Sequence, residues 1–206
     1  MLSPPSSPLA TGELFQFQKS SANGDPGVIE EASFLGYDLY YKIYKNGSSI
    51  DVNILTIEEL QSKFRRLTSY DLTKGVLSSP LVPISLLDRQ NLTSFRIAVD
   101  FSGNLTEPTR PSIYSISGTP DPPNTSISIF DFRRGVTYPS TSETKRFAGF
   151  SSTDADISAD IWTDIDNGSP VWIAVYVVSY GLDATYGPLY SIPLYLTYIQ
   201  LTLPHS

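Results

Sequence analysis

The chain has no cysteine, and a single histidine and a single methionine among its 206 residues. Without cysteine there is no disulfide framework, no thiol nucleophile and no thiolate metal site. That absence argues against a small eukaryotic secreted module, which usually needs such staples, and is neutral for a bacterial exported protein. The one histidine, His205, lies beside the C-terminus, where neighbours that could fix a base or a ligand are scarce. Ser-His-Asp and Cys-His sites therefore cannot be built, and zinc lacks its usual ligands. Charge is also sparse, at 17% of residues, and is weighted to acid for a net −7. An acidic surface repels phosphate backbones, which excludes nucleic acid as the expected partner; Arg65-Arg66 and Arg133-Arg134 are too short to reverse that. No apolar run approaches the roughly 18 residues that cross a bilayer. The longest of them, Val171 to Val178, is strand-length.

What the chain does have is 40% hydrophobic residues and 13 tyrosines, with abundant Ser, Thr, Pro and Gly. This composition gives a globular core built from short strands and many turns. Residues 1–12, with Pro4-Pro5 and Pro8, read as a flexible tether, and 13–206 as one β domain. The start lacks a basic segment followed by an apolar one, so it is not a signal peptide. A chain that begins just after a removed export signal, with a lipid anchor as its link to a membrane, is the expectation for compartment; a plain cytosolic protein with a ragged terminus is the alternative.

Alternation locates the strands. Leu14 to Phe17 is a short first strand. In Phe34 to Tyr44, Tyr37, Leu39, Tyr41 and Ile43 share one side, opposite Asp38, Tyr40, Lys42 and Tyr44. Aromatics on both sides imply that both faces are partly covered. Asn46-Gly47 is a turn, and Ser49 to Leu55 can form a partner strand. Thr56 and Glu59 make a capping box, and Ile57, Leu60, Phe64 and Leu67 follow at helical steps, which predicts one short helix near residues 57–68. Residues 70–91 are irregular, because Pro80 and Pro83 exclude a central strand. Phe95 to Phe101, Ser112 to Ser117 and Ser126 to Phe132 alternate as strands. In Asp154 to Ile165, Ala155, Ile157, Ala159 and Ile161 oppose Asp154, Asp156, Ser158 and Asp160, which predicts a strand with an acidic, Trp162-bearing outer face. It pairs as a hairpin with Val171 to Val178, a strand buried on both faces. Tyr190 to Leu203 is the last strand.

Gly36-Tyr37-Asp38-Leu39-Tyr40-Tyr41 resembles the Gly-Tyr-x-Val-x-Tyr pattern of the third strand of fibronectin type III domains. Val175 to Gly181, followed by Ser191-Ile192-Pro193, is similar to that family's last two strands. The matched segments cover about a quarter of the chain. The family's buried Trp of the second strand has no counterpart, and the segment between the matches is far longer than the family's. The resemblance implies an antiparallel β-sandwich, immunoglobulin- or fibronectin III-like, with a large insertion, and a binding or spacing role. The Tyr-rich segment also resembles those of bacterial surface lipoproteins.

Two clusters are candidates for chemistry. Asp156, Asp164 and Asp166 supply oxygens suited to calcium, and Asp164-x-Asp166-Asn167-Gly168 resembles half of a calcium loop. The third acid step and the distal Glu are missing, and carboxylates two apart on a strand stand about 7 Å from one another. A solvated, aggregation-resistant strand face explains the same residues. Trp162, Tyr40 and Tyr44, if exposed, can stack on sugars; packing under the helix or the loops is the alternative. Five Asn-x-Ser/Thr sites, at Asn46, Asn91, Asn104, Asn124 and Asn167, read mainly as surface turns. The function expected is a non-enzymatic exported or surface-tethered module that binds a protein, or serves as a spacer, through Tyr-rich and acidic surfaces, without a cofactor. A carbohydrate-binding module is the alternative, and a carboxylate-based glycoside hydrolase the third reading.

Overall fold

In a computed structural model the described residues are 15–18, 33–71, 76–77, 82–83, 95–99, 113–117, 125–128, 130–137, 144–146 and 150–203. His205, the segment 1–12 and Asn91, Asn104 and Asn124 lie outside them.

The protein is mainly β, and its strand pairings are antiparallel. Strands β1 (Phe15–Gln18), β7 (Phe95–Val99), β8 (Ile113–Ser117) and β9 (Thr125–Ser128) form one sheet in that order. A second runs β11 (Thr144–Arg146), β10 (Phe130–Thr137), β4 (Thr68–Asp71) and β5 (Val76–Leu77). The third is built on β2 (Ser33–Lys45) and β12 (Val171–Leu182), paired from Ser33↔Leu182 to Lys45↔Val171. On its far side β12 takes β14 (Leu194–Leu201) and β13 (Pro188–Tyr190). The outer edge of β2 carries two short strands, β6 (Val82–Pro83) at Gly36–Tyr37 and β3 (Arg65–Arg66) at Tyr40–Tyr41.

The alternation read in β2 sorts its side chains onto two apolar layers. Tyr37, Leu39, Tyr41 and Ile43 join Ile173, Val175 and Val177 of β12 on one face, while Tyr40 and Tyr44 join Ala174, Tyr176 and Val178 on the other. β12 is thus buried on both faces, as its near-continuous apolar run requires. The expected last strand is instead two, interrupted at Ser191–Pro193. There the Ser191 hydroxyl accepts a hydrogen bond from the Ser179 amide at 2.9 Å, replacing a ladder bond.

Two helices, not one, cover these faces. Helix α1 (Ile57–Lys63) starts at Thr56, whose hydroxyl accepts from the Glu59 amide at 3.2 Å. It ends at Lys63, short of residue 68. Phe64 is already extended, and the Leu67 amide donates to Leu39 O at 2.8 Å, so sheet pairing overrides helical propensity. The apparent helical stripe is therefore split: Leu60 and Phe64 pack with Tyr40 and Tyr176, and Leu67 joins the opposite layer. Ser49 to Leu55 forms no strand and lies beside α1, with Ile54 buried.

The larger correction is at 154–165. Helix α2 (Ala159–Asp166) replaces the predicted strand, so the hairpin with β12 does not exist. Ser158 caps it by accepting from the Ile161 amide at 3.3 Å. Ile157, Ile161 and Ile165 are buried against β2 and β12. A four-residue step satisfies a period of two and nearly satisfies 3.6, and Ala155 and Ala159 do not discriminate. The helix closes with paired bonds, Gly168 N to Ile165 O at 2.9 Å and Ser169 N to Asp164 O at 2.8 Å, with Gly168 at φ +68. That is a Schellman cap, and it accounts for the Asp166-Asn167-Gly168 motif without a metal.

Candidate functional site

Among the described residues, buried charge gathers where β10, β11, β2 and the 150–157 turn meet. Arg134 of β10 is fully buried. Its Nε donates to Asp156 Oδ2 at 2.9 Å and its Nη2 to Asp156 Oδ1, a bidentate pair, while Nη2 also reaches Asp154 Oδ2 at 2.8 Å. Lys145 of β11 donates to Asp154 Oδ1. The Tyr41 hydroxyl donates to Asp156 Oδ2 at 2.6 Å and accepts from the Gly135 amide at 3.2 Å. The Phe150 ring lies 4.1 Å from the Arg134 guanidinium carbon, close enough for cation–π attraction. Two cations meet two carboxylates, so the cluster is neutral.

The electrostatics fit a structural role. Burial, and then the Asp156 charge, push the Tyr41 pKa well above that of free tyrosine, so its proton stays put. Burial opposes charge on Asp154, but Lys145 and Arg134 outweigh it and hold the carboxyl below the usual range. Burial likewise opposes charge on Arg134, and Asp156 outweighs it. The cluster ties α2's leading turn to two sheets.

Beside it opens a groove of about 1060 Å³ that follows the outer edge of β2 from Tyr41 to Lys45. One wall is the end of α1 with Phe64, and the other is Ala155–Ile161, leading into α2. Five cations line it, Lys42, Lys45, Lys63, Arg65 and Arg66, against two carboxylates, Asp156 and Asp160. Asp156 is already matched by Arg134. Lys42 contacts Asp51 at 2.9 Å, Lys63 contacts Glu59 at 2.9 Å, and Arg66 contacts Asp38 at 2.7 Å. Lys45 and Arg65 are exposed and have no carboxylate within salt-bridge distance among the described residues. Arg65 donates instead to Ala155 O at 2.8 Å.

The residues expected to carry function are dispersed. Tyr40 and Tyr44 are buried, with 3% and 7% of their surface exposed, beneath α1, so neither offers a ring face to a sugar. Trp162 is half-buried against the core. Among the described residues Tyr186 is the large exposed aromatic, at 83%, on the β12–β13 turn. The calcium candidates do not converge. Asp156 is held by Arg134 and Tyr41, Asp164 faces the Asn46 amide at 3.4 Å, and Asp166 ends α2. Among the described residues no three acidic or histidine side chains are grouped to hold a metal. Asp154 and Asp156 are buried partners rather than a solvated strand face. Asn46 and Asn167 do sit exposed in turns. The sequence pattern gave no signal for the groove beyond Arg65-Arg66, whose importance lies in where it sits. No family model, curated protein or solved structure matches the chain.

Proposed function

We propose that the protein is a non-enzymatic binding module, exported or surface-tethered, that captures an anionic protein segment in the cationic groove beside β2. The observation that carries this reading is the split between the two charged regions. The interior cluster is neutral and internally matched, whereas in the groove Lys45 and Arg65 are exposed with no carboxylate partner among the described residues, set against Asp160, on a chain of net charge −7. Such a local reversal of sign focuses attraction on an acidic partner and rejects others. In this reading the binding surface is cationic, where the sequence led to a Tyr-rich and acidic one. The fold belongs to the same reading, a β-sandwich of the fibronectin type III kind. In its support, β2, β12 and β14 lie side by side, like the C, F and G strands of such sandwiches. Export draws its support from the composition.

The test is a fluorescence-anisotropy titration with a labelled peptide of six glutamates, with a six-lysine peptide as control. The glutamate peptide is expected to bind, with affinity that falls as salt rises, because the cations are exposed. The double variant Lys45→Glu/Arg65→Glu is expected to weaken it at least tenfold. No binding, or equal binding by the variant, overturns the reading. A glycan partner is the second reading, favoured by the exposed Tyr186 ring; a glycan array unchanged by Tyr186→Ala removes it.

A further inference from the structure

The floor of the groove is a sheet edge. β2 is paired with β12 along its whole length, but on the other side β3 stops at Tyr41↔Arg65, and among the described residues no strand continues the pairing to Lys42–Lys45. In an antiparallel ladder, successive residues direct their backbone N–H and C=O groups to opposite sides. Leu39 O accepts from Leu67 N on the β3 side. By that alternation Leu39, Tyr41, Ile43 and Lys45 point their backbone groups to this side, and of these the Lys45 carbonyl is already taken by the Ser48 amide at 3.1 Å. β3 takes up the first two, and the Ile43 and Lys45 amides face the groove. The stretch left open, Lys42 to Lys45, is about 13 Å long at strand spacing.

We infer that the groove takes its partner by strand addition: an extended acidic segment pairs its backbone with Ile43 and Lys45 and lays its carboxylates against Lys45 and Arg65. This rests on the reading of the groove as an anionic-protein site and adds the backbone mode. Main-chain pairing supplies affinity, and the flanking side chains supply choice. The charges also decide which strand can enter. A second copy of this chain would bring Lys42 and Lys45 of its own edge against the same lysines, and like charges across a ladder repel. An acidic strand meets the opposite condition.

The experiment uses the full chain and an eight-residue peptide of alternating Glu and Val. Binding is followed by anisotropy, and exchange of each β2 amide by NMR with and without the peptide. Exchange at Ile43 and Lys45 is expected to slow at least tenfold on binding, with Lys42 and Tyr44, which face β12, unchanged. Charge-dependent binding without slowing at Ile43 overturns strand addition and leaves the groove reading standing. Failure of this peptide to bind while six glutamates do so also overturns strand addition. Failure of both peptides brings down the groove reading with it.

Discussion

Replacing Arg134 by Met tests the interior cluster most sharply. The side chain is fully buried, so the loss is not softened by solvent. Removing it takes two donors from Asp156 and one from Asp154, and strips the cation from the Phe150 ring. Asp154 and Asp156 are then left with one ammonium, Lys145, between them. Breaking a buried pair by deleting one partner costs about 3–5 kcal/mol. For a chain of this size that corresponds to a fall in Tm of about 6–20 °C. Thermal unfolding followed by circular dichroism at pH 7 measures it. The deficit should shrink as pH falls, because the excess negative charge is relieved by taking up a proton that wild type does not need. The double variant Arg134→Met/Asp156→Leu, which restores one cation to one anion, should recover much of the loss. A fall of under 2 °C in the single variant would place the pair among ordinary surface ion pairs, worth about 0–1 kcal/mol, and refute the reasoning.

Four further outcomes are expected. Ser158→Ala removes the cap of α2 and should cost about 1 kcal/mol by urea denaturation, while Ser158→Asp should be near neutral; equal effects would question the helix. Gly135→Ala would place a Cβ 2.7 Å from Arg66 O, a backbone atom, so a measurable fall in Tm is expected, and an unchanged Tm would show that β10 and β3 are less closely apposed. At low pH, Asp154 has a folded pKa below its free value of 3.8, so its contribution is present above that pH and disappears as pH falls through the folded value. Stability should therefore fall below about pH 4, and Asp154→Asn should flatten that slope. At high pH the sign is reversed for tyrosine: burial raises Tyr37 from 10.0 to about 12, so its contribution holds below pH 10 and is lost as pH rises through 12. The difference between the ultraviolet titrations of wild type and Tyr37→Phe should show the Tyr37 tyrosinate appearing late and together with unfolding.

Much of the third sheet was legible. The alternation of Tyr37 to Tyr44 gave β2 and both its faces, and the unbroken run at Val171 gave a strand covered on both sides. Thr56 and Glu59 marked the start of α1 because capping is local chemistry. Its end was not legible, since Phe64 and Leu67 go to opposite layers only once β3 pairs with β2. Residues 154–165 alternate like a strand yet fold into α2, because isoleucines four apart fit both periods and Ser158, one more polar position in the alternation, is the helix cap. Tyr40 and Tyr44 were rightly placed on the second face, but what covers that face is α1, a matter of packing. The candidate site was the least legible part. Arg134 and Asp154 are brought together by topology, and no spacing announces them. The groove is assembled from segments as far apart as Tyr41 and Asp156, 115 residues in sequence, and an open sheet edge is defined by which strands are not beside it.

Residue-resolved amide exchange of the protein without any partner tests the open, cation-lined edge directly. The Ile43 and Lys45 amides should exchange much faster than those of Lys42 and Tyr44, the two kinds of position alternating along one strand. If Ile43 is as protected as Lys42, some other part of the chain already pairs with that edge, and the groove is not a place for a partner.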